Sequence, residues 1–257
     1  MVNLFDSHAH LDDEMFDADR EQVIENIKNS GVKLVTNIAS SIKTSYQSVD
    51  LAEKYDFIYA TAGVHPSDVY DMTDSDLDTI EKLSMHKKVV AIGEIGLDYH
   101  YDGYDENLQK HWFLKQLKLA EKLDMPVVVH SRDAAKDTMD ILKSVNTEGI
   151  IHCYSGSAEM AKEYIDMGYY ISFTGTVTYK NAKTAVKVAS EIPLERLLIE
   201  TDSPYLSPDG FRGTRNDSSR VRYVCEKIAQ LRGISPEQLA DITYENAKRV
   251  YRIDNQL

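Results

Sequence analysis

Eight short apolar runs, each followed by a polar or glycine-containing turn and an amphipathic segment, constrain the fold of this chain more than any other feature. Most of the runs are continuously apolar rather than alternating, which is typical of parallel strands with both faces buried. We predict strands at Leu4–Asp6, Leu34–Ile38, Ile58–Ala62, Val89–Gly93, Val127–Val129, Gly149–Ile151, Tyr170–Phe173 and Leu197–Ile199.

The amphipathic segments predict seven helices between the strands and two more that end the chain. They are Ala18–Asn29, Thr44–Lys54, Ser75–Ser84, Asn107–Leu123, Ala134–Lys143, Ala158–Met167, Asn181–Glu191, Arg220–Leu231 and Pro236–Tyr251. This alternation predicts an α/β fold, a (β/α)8 TIM barrel formed as one domain over residues 1–257. A doubly wound open sheet is the alternative, because periodicity does not show whether a sheet closes. No glycine-rich phosphate-binding motif follows any of the runs, which disfavours it.

The charge balance limits the function classes. The chain has 29 basic and 42 acidic residues, a net charge of −13, which opposes non-specific adhesion to DNA or anionic membranes. A nuclease remains compatible with this charge, because a metal site can supply positive charge locally.

No apolar run approaches the roughly 18 residues of a membrane span, and the N-terminal segment lacks the basic start of a secretory signal. These two absences, together with a content of only two cysteines, predict a cytoplasmic protein. The sequence indicates no obligate protein partner.

Side chains of the metal-ligand type stand at or just beyond the predicted ends of six strands: His8, His10, His65, Glu94, His130, His152 and Asp202. Active sites of barrel enzymes lie at this end of the strands. His8 and His10 share one face of an extended segment, so both rings can reach one ion. In isolation such residues are more often structural histidines or salt-bridged carboxylates, but the joint pattern predicts a metal centre.

Six ligands exceed the needs of one tetrahedral ion with an open position. They fit a pair of divalent ions about 3.5–4 Å apart. Glu94 is the expected bridge, since the fourth strand lies midway between the first and the fifth and sixth. We assign the other five residues to two groups: His8, His10 and Asp202 for one ion, His130 and His152 for the second. Ligand type leaves Mg, Mn and Zn open.

Six motifs occur in order along the chain: Asp6-Ser7-His8-Ala9-His10-Leu11, Gly63-Val64-His65-Pro66, Gly93-Glu94-Ile95-Gly96-Leu97-Asp98-Tyr99, Val129-His130-Ser131-Arg132, His152-Cys153-Tyr154-Ser155-Gly156 and Glu200-Thr201-Asp202-Ser203-Pro204-Tyr205-Leu206. Together they resemble the TatD-like metal-dependent deoxyribonucleases of the amidohydrolase superfamily. The resemblance implies hydrolysis of DNA phosphodiesters, by 3′–5′ exonuclease or endonuclease action. It also implies metal roles for the same six residues, and a DNA substrate that is single-stranded or presents a 3′ end.

The expected mechanism is in-line attack on phosphorus by a hydroxide that bridges the two ions. Asp202 is the candidate to orient or deprotonate that water, and Glu94 holds the two ions together. His65 has three open roles: protonating the leaving group, binding a phosphate oxygen, or stabilising the turn before Pro66.

Substrate contacts are predicted for Arg132, Arg215 and Tyr99. Arg132 follows a ligand, and Arg215 belongs to the densest basic stretch, which also contains Arg212, Arg220 and Arg222. That stretch either steers a DNA backbone or is an ordinary solvated face. Cys153 is expected to point away from His152 as a small buried apolar residue, because neighbours on a strand face opposite sides.

Two other functions remain open. The first is amidohydrolase-type cleavage of an amide, a lactone or a nucleic-acid-linked ester. Many such enzymes bridge their metals with a modified lysine, so Glu94 at the end of the fourth strand disfavours it. The second is a catalytically silent binding protein. Clustered ligands without a metal would repel one another, which argues against it.

Overall fold

The computed structural model describes residues 3–253. Within that range it has eight strands, β1 (Leu4–Ala9), β2 (Val32–Asn37), β3 (Ile58–Ala62), β4 (Val89–Asp98), β5 (Val127–Arg132), β6 (Gly149–Ile151), β7 (Tyr170–Phe173) and β8 (Leu197–Ile199). The α-helices are α1 (Arg20–Asn29), α2 (Ile42–Lys54), α3 (Asp74–Ser84), α4 (Glu106–Leu123), α5 (Ala135–Leu142), α6 (Ala158–Asp166), α7 (Lys183–Glu191), α8 (Val221–Arg232) and α9 (Pro236–Val250).

The strands form one sheet in sequential order, β1 to β8, and every adjacent pair is parallel. The two edges meet just beyond β8. The Asp202 amide donates to the His8 carbonyl at 2.9 Å, and the His10 amide donates to the Ser203 carbonyl at 2.8 Å. The predicted (β/α)8 barrel is therefore confirmed, and the open doubly wound sheet is wrong, since a closed barrel leaves no unpaired edge.

Three strands run further at their carboxyl ends than the apolar runs indicated, and β2 begins at Val32 instead of Leu34 and ends at Asn37 instead of Ile38. β1 continues through His8 to Ala9, β4 through Glu94 to Asp98, and β5 through His130 to Arg132. The extensions of β4 and β5 pair with each other, with Gly96 opposite His130 and Asp98 opposite Arg132. Polar side chains conceal this part of the strands in the sequence, while backbone pairing continues. His130 is consequently held within the β4–β5 ladder. His8 and Glu94 lie at register irregularities of β1 and β4, where the His8 carbonyl accepts from the Asp202 amide at 2.9 Å and the Glu94 amide donates to the Ala39 carbonyl at 2.7 Å.

Two apolar clusters support the barrel. The larger one includes the side chains that pack the helices against the sheet. The smaller one joins strand residues such as Phe5 and Leu34 to helix α9 and the residues after it. There the Tyr251 hydroxyl donates to the Ser7 carbonyl at 2.7 Å. Among residues 3–253, no helix combines the length and the hydrophobicity needed to cross a bilayer.

Candidate metal centre

The Glu94 carboxylate lies at the centre of the mouth of the barrel and is 3% exposed. Its Oε1 atom is 2.9 Å from His130 Nδ1 and 3.3 Å from His152 Nε2. Its Oε2 atom is 3.4 Å from His8 Nε2 and 3.8 Å from His10 Nε2. The two oxygens of one carboxylate therefore face two separate pairs of imidazoles, which is the arrangement expected of a bridging ligand.

The first group consists of His8, His10 and Asp202. The two Nε2 atoms of the histidines are 3.1 Å apart, and Asp202 Oδ1 lies 3.4 Å from each of them. Ligand atoms bound about 2.1 Å from one ion, at angles between octahedral and tetrahedral, are separated by about 3.0–3.4 Å. The donor atoms are thus spaced as they would be around a single cation.

Three of the four histidines around Glu94 form a hydrogen bond through the ring nitrogen that points away from the centre. The contacts are His10 Nδ1 to the Ile38 carbonyl at 2.8 Å, His152 Nδ1 to Glu200 Oε1 at 3.1 Å, and His130 Nε2 to Asp98 Oδ2 at 3.0 Å. In the neutral ring these acceptors assign the N–H to the outer nitrogen, so the inner nitrogen is the one whose lone pair can bind a cation. His8 differs: its Nδ1 atom is buried and has no hydrogen-bond partner among the described residues.

The electrostatics of the centre also favour a cation. Burial by itself lowers the pKa of His10, but the hydrogen bond and the charge of Asp202 outweigh burial and raise that pKa to about 9. For His152, burial is likewise outweighed, here by the charges of Glu94 and Glu200, and the pKa rises to about 10. Burial opposes ionisation of Glu94, yet the surrounding histidines hold its pKa well below the usual range. The centre thus attracts protons strongly, and a divalent metal satisfies the same lone pairs and carboxylates.

His65 lies beside this centre in a defined orientation. Its Nδ1 accepts from the Ser67 amide at 3.1 Å and begins the turn at Pro66, while its Nε2 points to Glu94 Oε1 at 3.8 Å. Burial, followed by the charge of His130, lowers the pKa of His65 to about 3. The ring therefore combines a structural contact on one nitrogen with a free N–H donor facing the site.

A cavity of about 980 Å³ opens above the centre. Arg132 lines it and is exposed, with its guanidinium 5.2 Å from the centre of the Tyr101 ring and Nη1 donating to the Tyr101 hydroxyl at 3.3 Å. The position of Arg132 suits the predicted substrate contact, which stays a prediction.

Two other residues predicted to contact the substrate lie outside the lining of this cavity. Arg215 does not line the cavity, because both of its terminal nitrogens donate to Asp19, at 2.8 and 2.6 Å. Tyr99 also lies outside the cavity lining, with its ring stacked on Tyr104 at 4.7 Å and its hydroxyl donating to Asp137 at 3.1 Å. Tyr101, two residues further on, is the aromatic residue of this loop that faces the opening.

Cys153 also departs from expectation. β6 ends at Ile151, so strand alternation no longer applies, and Cys153 adopts a left-handed conformation with φ of 46°. Its amide donates to Glu200 Oε1 at 2.7 Å, and its thiol lies in the cavity wall, 3.5 Å from Thr174 Oγ1. Burial raises the pKa of this thiol well above its ordinary value, so it is not an activated nucleophile.

Two further carboxylates of the site have no role in the sequence-based assignment. Asp98 and Glu200 each bind the outer nitrogen of a histidine that is predicted to be a ligand. A signal for Asp98 was present, since it lies four residues after Glu94 and shares its face in an extended strand. Glu200 similarly precedes Asp202 by two residues, although the strand itself ends at Ile199.

Comparisons with known proteins agree with this geometry. The model of the TatD related DNase family matches residues 5–252. The chain is 49% identical to YabD of Bacillus subtilis strain 168, described as an uncharacterized metal-dependent hydrolase, over 98% of this chain and 100% of that protein. It is 38% identical to the likewise described YcfH of Escherichia coli K12, over 98% and 96% of the two chains.

Among solved structures, YJJV, a TatD homologue from Escherichia coli K12, superposes with a TM-score of 0.92 at 30% identity, covering 98% of both chains. Whole-length matches of this kind, together with a barrel mouth built from imidazoles and carboxylates, place the protein among metal-dependent hydrolases. The chain belongs to the TatD family.

Proposed function

We propose that this metal-dependent hydrolase cleaves DNA phosphodiester bonds and works with two divalent ions. The observation that carries the proposal is the position of Glu94, whose two oxygens face different histidine pairs. One ion would be held by His8, His10 and Asp202, the other by His130 and His152, with Mg, Mn and Zn as the candidate metals. The description of the matching family as TatD related DNase supports the reaction class.

Bound ions would supply positive charge that stabilises the developing negative charge on a phosphate and makes a water molecule more acidic. Asp202 is suited to take up the proton of that water. Burial opposes ionisation of Asp202, but the His10 hydrogen bond and the neighbouring histidine charges lower its pKa, so it is a carboxylate at neutral pH. Its amide is fixed to the His8 carbonyl, which keeps the side chain at the edge of the cavity.

The remaining groups around the cavity suit a phosphate substrate. The Nε2–H of His65 faces the opening and is placed to donate a hydrogen bond to a phosphate oxygen. Arg132 is placed to contact a neighbouring phosphate. Tyr101 and Tyr205, on opposite rims, are 62% and 50% exposed and are available to stack on unpaired bases. These rings favour a single strand or a 3′ end as substrate.

A substrate panel tests the proposal. Metal-free protein is supplied with Mg²⁺, Mn²⁺ or Zn²⁺ and assayed on single-stranded and duplex DNA, an aryl ester, a lactone and an amide. We expect DNA cleavage that needs metal and is lost in His130→Ala. His86→Ala, a partly exposed histidine on the connection before β4, is the matched control and should retain activity. Hydrolysis confined to the ester, lactone or amide, or no hydrolysis at all, would contradict the proposal.

A further inference from the structure

We propose that a cationic surface beside the metal cavity binds the backbone phosphates of the strand whose end is cleaved, an inference that rests on the proposed function. We call it the β7–β8 cationic surface and define it by its five exposed or half-exposed basic residues. They are Lys180, Lys183, Arg212, Arg220 and Arg222. The partner it fits is a single-stranded nucleic acid, recognised through its phosphates.

The distribution of charge along the chain singles out this surface. Residues 176–187 and 207–223 together contain seven basic and two acidic residues. The remainder of the chain contains 22 basic and 40 acidic residues. A local excess of positive charge in a protein of net charge −13 is unexpected for a merely solvated face. It creates one region where a polyanion is attracted rather than repelled.

The fold joins the two segments and connects them to the metal cavity. The Tyr179 hydroxyl donates to the Ser207 carbonyl at 2.8 Å, and the Asp209 amide donates to Thr178 Oγ1 at 2.7 Å. Helix α7 also packs against α8. Thr176 and Leu206, which immediately precede these contacts in each segment, line the cavity. A strand lying on the surface therefore reaches the metal ligands without crossing another element.

The arginines of the surface are oriented by aromatic rings rather than neutralised by carboxylates. Arg212 stacks on Tyr179 at 4.4 Å, Arg220 on Phe211 at 4.5 Å and Arg222 on Tyr223 at 4.7 Å. Within residues 3–253, none of the three forms an ion pair. Stacking occupies the face of a guanidinium and leaves in-plane N–H groups for a phosphate, which is the geometry that phosphate recognition uses. Arg220 uses Nη1 to donate to two hydroxyls, and Arg222 uses Nη2 to donate to the Tyr223 hydroxyl, so each retains its other N–H groups. Arg215 is excluded because Asp19 already neutralises it.

Two other loops at the mouth carry the opposite charge. Residues 10–19, after β1, contain five acidic and no basic residues, and so do residues 63–78, after β3. Apart from Lys43 and Arg132, the described residues that line the cavity include no lysine or arginine. Three of these ten carboxylates form ion pairs with a lysine or arginine outside the two segments, namely Asp17, Asp19 and Asp74. The other seven still give both sides a negative excess, so a polyanionic strand is repelled there and is directed to approach across β7 and β8.

The test compares two double variants that remove the same charge. Arg212→Ala/Arg222→Ala removes two phosphate contacts. The control, Lys28→Ala/Lys87→Ala, removes two exposed lysines near the starts of β2 and β4, at the opposite end of the barrel. Binding of a fluorescent single-stranded 20-mer is measured by anisotropy in chelator at several salt concentrations, so that cleavage does not interfere. Cleavage of the 20-mer and of thymidine 5′-(p-nitrophenyl phosphate) is then measured with Mg²⁺.

We expect the arginine variant to bind the 20-mer about tenfold more weakly, as two phosphate contacts would give. The slope of log K against log salt should become shallower by about 1.4, at roughly 0.7 per contact for single strands. With Mg²⁺, kcat/KM should fall for the 20-mer and stay within about twofold for the small diester, which also shows that the variant is folded. The lysine control should match the wild type.

Wild-type affinity and salt slope in the arginine variant, or an equal loss in the lysine control, would overturn the cationic surface. So would an equal loss of kcat/KM on both substrates. Failure of the wild type to cleave either substrate, with strand binding still lost in the arginine variant, would overturn the proposed function alone and leave the surface supported.

Discussion

At the scale of single residues, Glu94 is the group on which the proposed two-ion arrangement depends. Glu94→Gln keeps the shape of the side chain and removes the charge that both ions would share. We expect both ions to bind at least about tenfold more weakly, since changes next to a metal typically reduce affinity by that amount or more. Metal content and titration calorimetry measure this, with Glu163→Gln on the exposed face of α6 as the control. Loss of only one ion would make Glu94 an ordinary ligand.

The protons held by the ion-free centre predict how metal binding depends on pH. With pKa values of about 9 for His10 and about 10 for His152, both rings are protonated at pH 7 and must lose those protons to bind metal. Metal affinity should therefore rise with pH through this range. Calorimetry in buffers of different ionisation enthalpy should detect more protons released at pH 7 than at pH 10. Equal release at the two pH values would show that the rings bind metal from their neutral forms.

The raised pKa values of His10 and His152 also determine how the stability of the ion-free protein changes with pH. Both pKa values lie above the ordinary histidine value, so the folded, ion-free chain binds more protons than the unfolded chain between about 6.5 and 10. Their contribution to stability is complete below about pH 6.5 and is lost as the pH rises through 9 to 10. Alkaline conditions thus destabilise the ion-free centre while they favour loading with metal.

At this scale, the sequence predicts the positions of the central histidines and carboxylates better than the contacts of the residues around them. The six positions predicted as ligands follow from strand ends and the His8–His10 spacing, and the structure brings their side chains together at the mouth of the barrel. Their role as metal ligands stays a prediction. The roles of Arg215, Tyr99 and Cys153 were missed because they depend on contacts across loops, such as the one between Arg215 and Asp19. Nothing local to residue 215 indicates that a carboxylate almost two hundred positions away neutralises it.

At the scale of elements, one buried carboxylate joins the first strand to the residues that follow the last. Asp6 in β1 accepts from the Thr201 amide at 2.8 Å and from the Thr201 hydroxyl at 2.6 Å, just beyond β8. Asp6→Ala leaves this buried amide without its acceptor. We expect a loss of about 2–4 kcal/mol in the free energy of unfolding. Urea unfolding in chelator measures it independently of metal, against Asp166→Ala at the exposed end of α6. A change below about 1 kcal/mol would show that the backbone bonds alone close the barrel.

Sequence periodicity identifies these elements more reliably than it identifies their ends. The predicted β3, β6, β7 and β8 coincide with the observed strands, because their apolar runs are as long as their backbone pairing. β1, β4 and β5 extend further, since pairing resumes at Ala9 and Ile95 after irregularities at His8 and Glu94 and includes His130. Hydrophobicity reports burial among apolar neighbours, whereas these residues are buried among polar ones. The misread ends are therefore the parts of the barrel that hold the site.

At the scale of the whole molecule, stability and chemistry are located in different places. The apolar clusters lie among the strands, the surrounding helices and α9, while the ligands converge at the carboxyl ends of the strands. In barrel enzymes the residues at this end serve function more than stability. We therefore expect the polar mouth to tolerate the loss of one of these side chains without loss of the fold.

Metal removal and His130→Ala together test this separation. An ion present at about 100 times its dissociation constant stabilises the folded state by about 2.7 kcal/mol, because it binds the folded chain only. For a chain of this size, that stabilisation corresponds to a rise in Tm of roughly 5 °C or more. We expect this rise in the wild type on adding Mn²⁺ to chelator-treated protein, and a much smaller rise in His130→Ala. The ion-free variant should still unfold cooperatively, with a Tm close to that of the ion-free wild type. A variant that melts broadly, or far below the ion-free wild type, would show that His130 is part of the stabilising core. Folding stability and metal binding would then depend on the same residues.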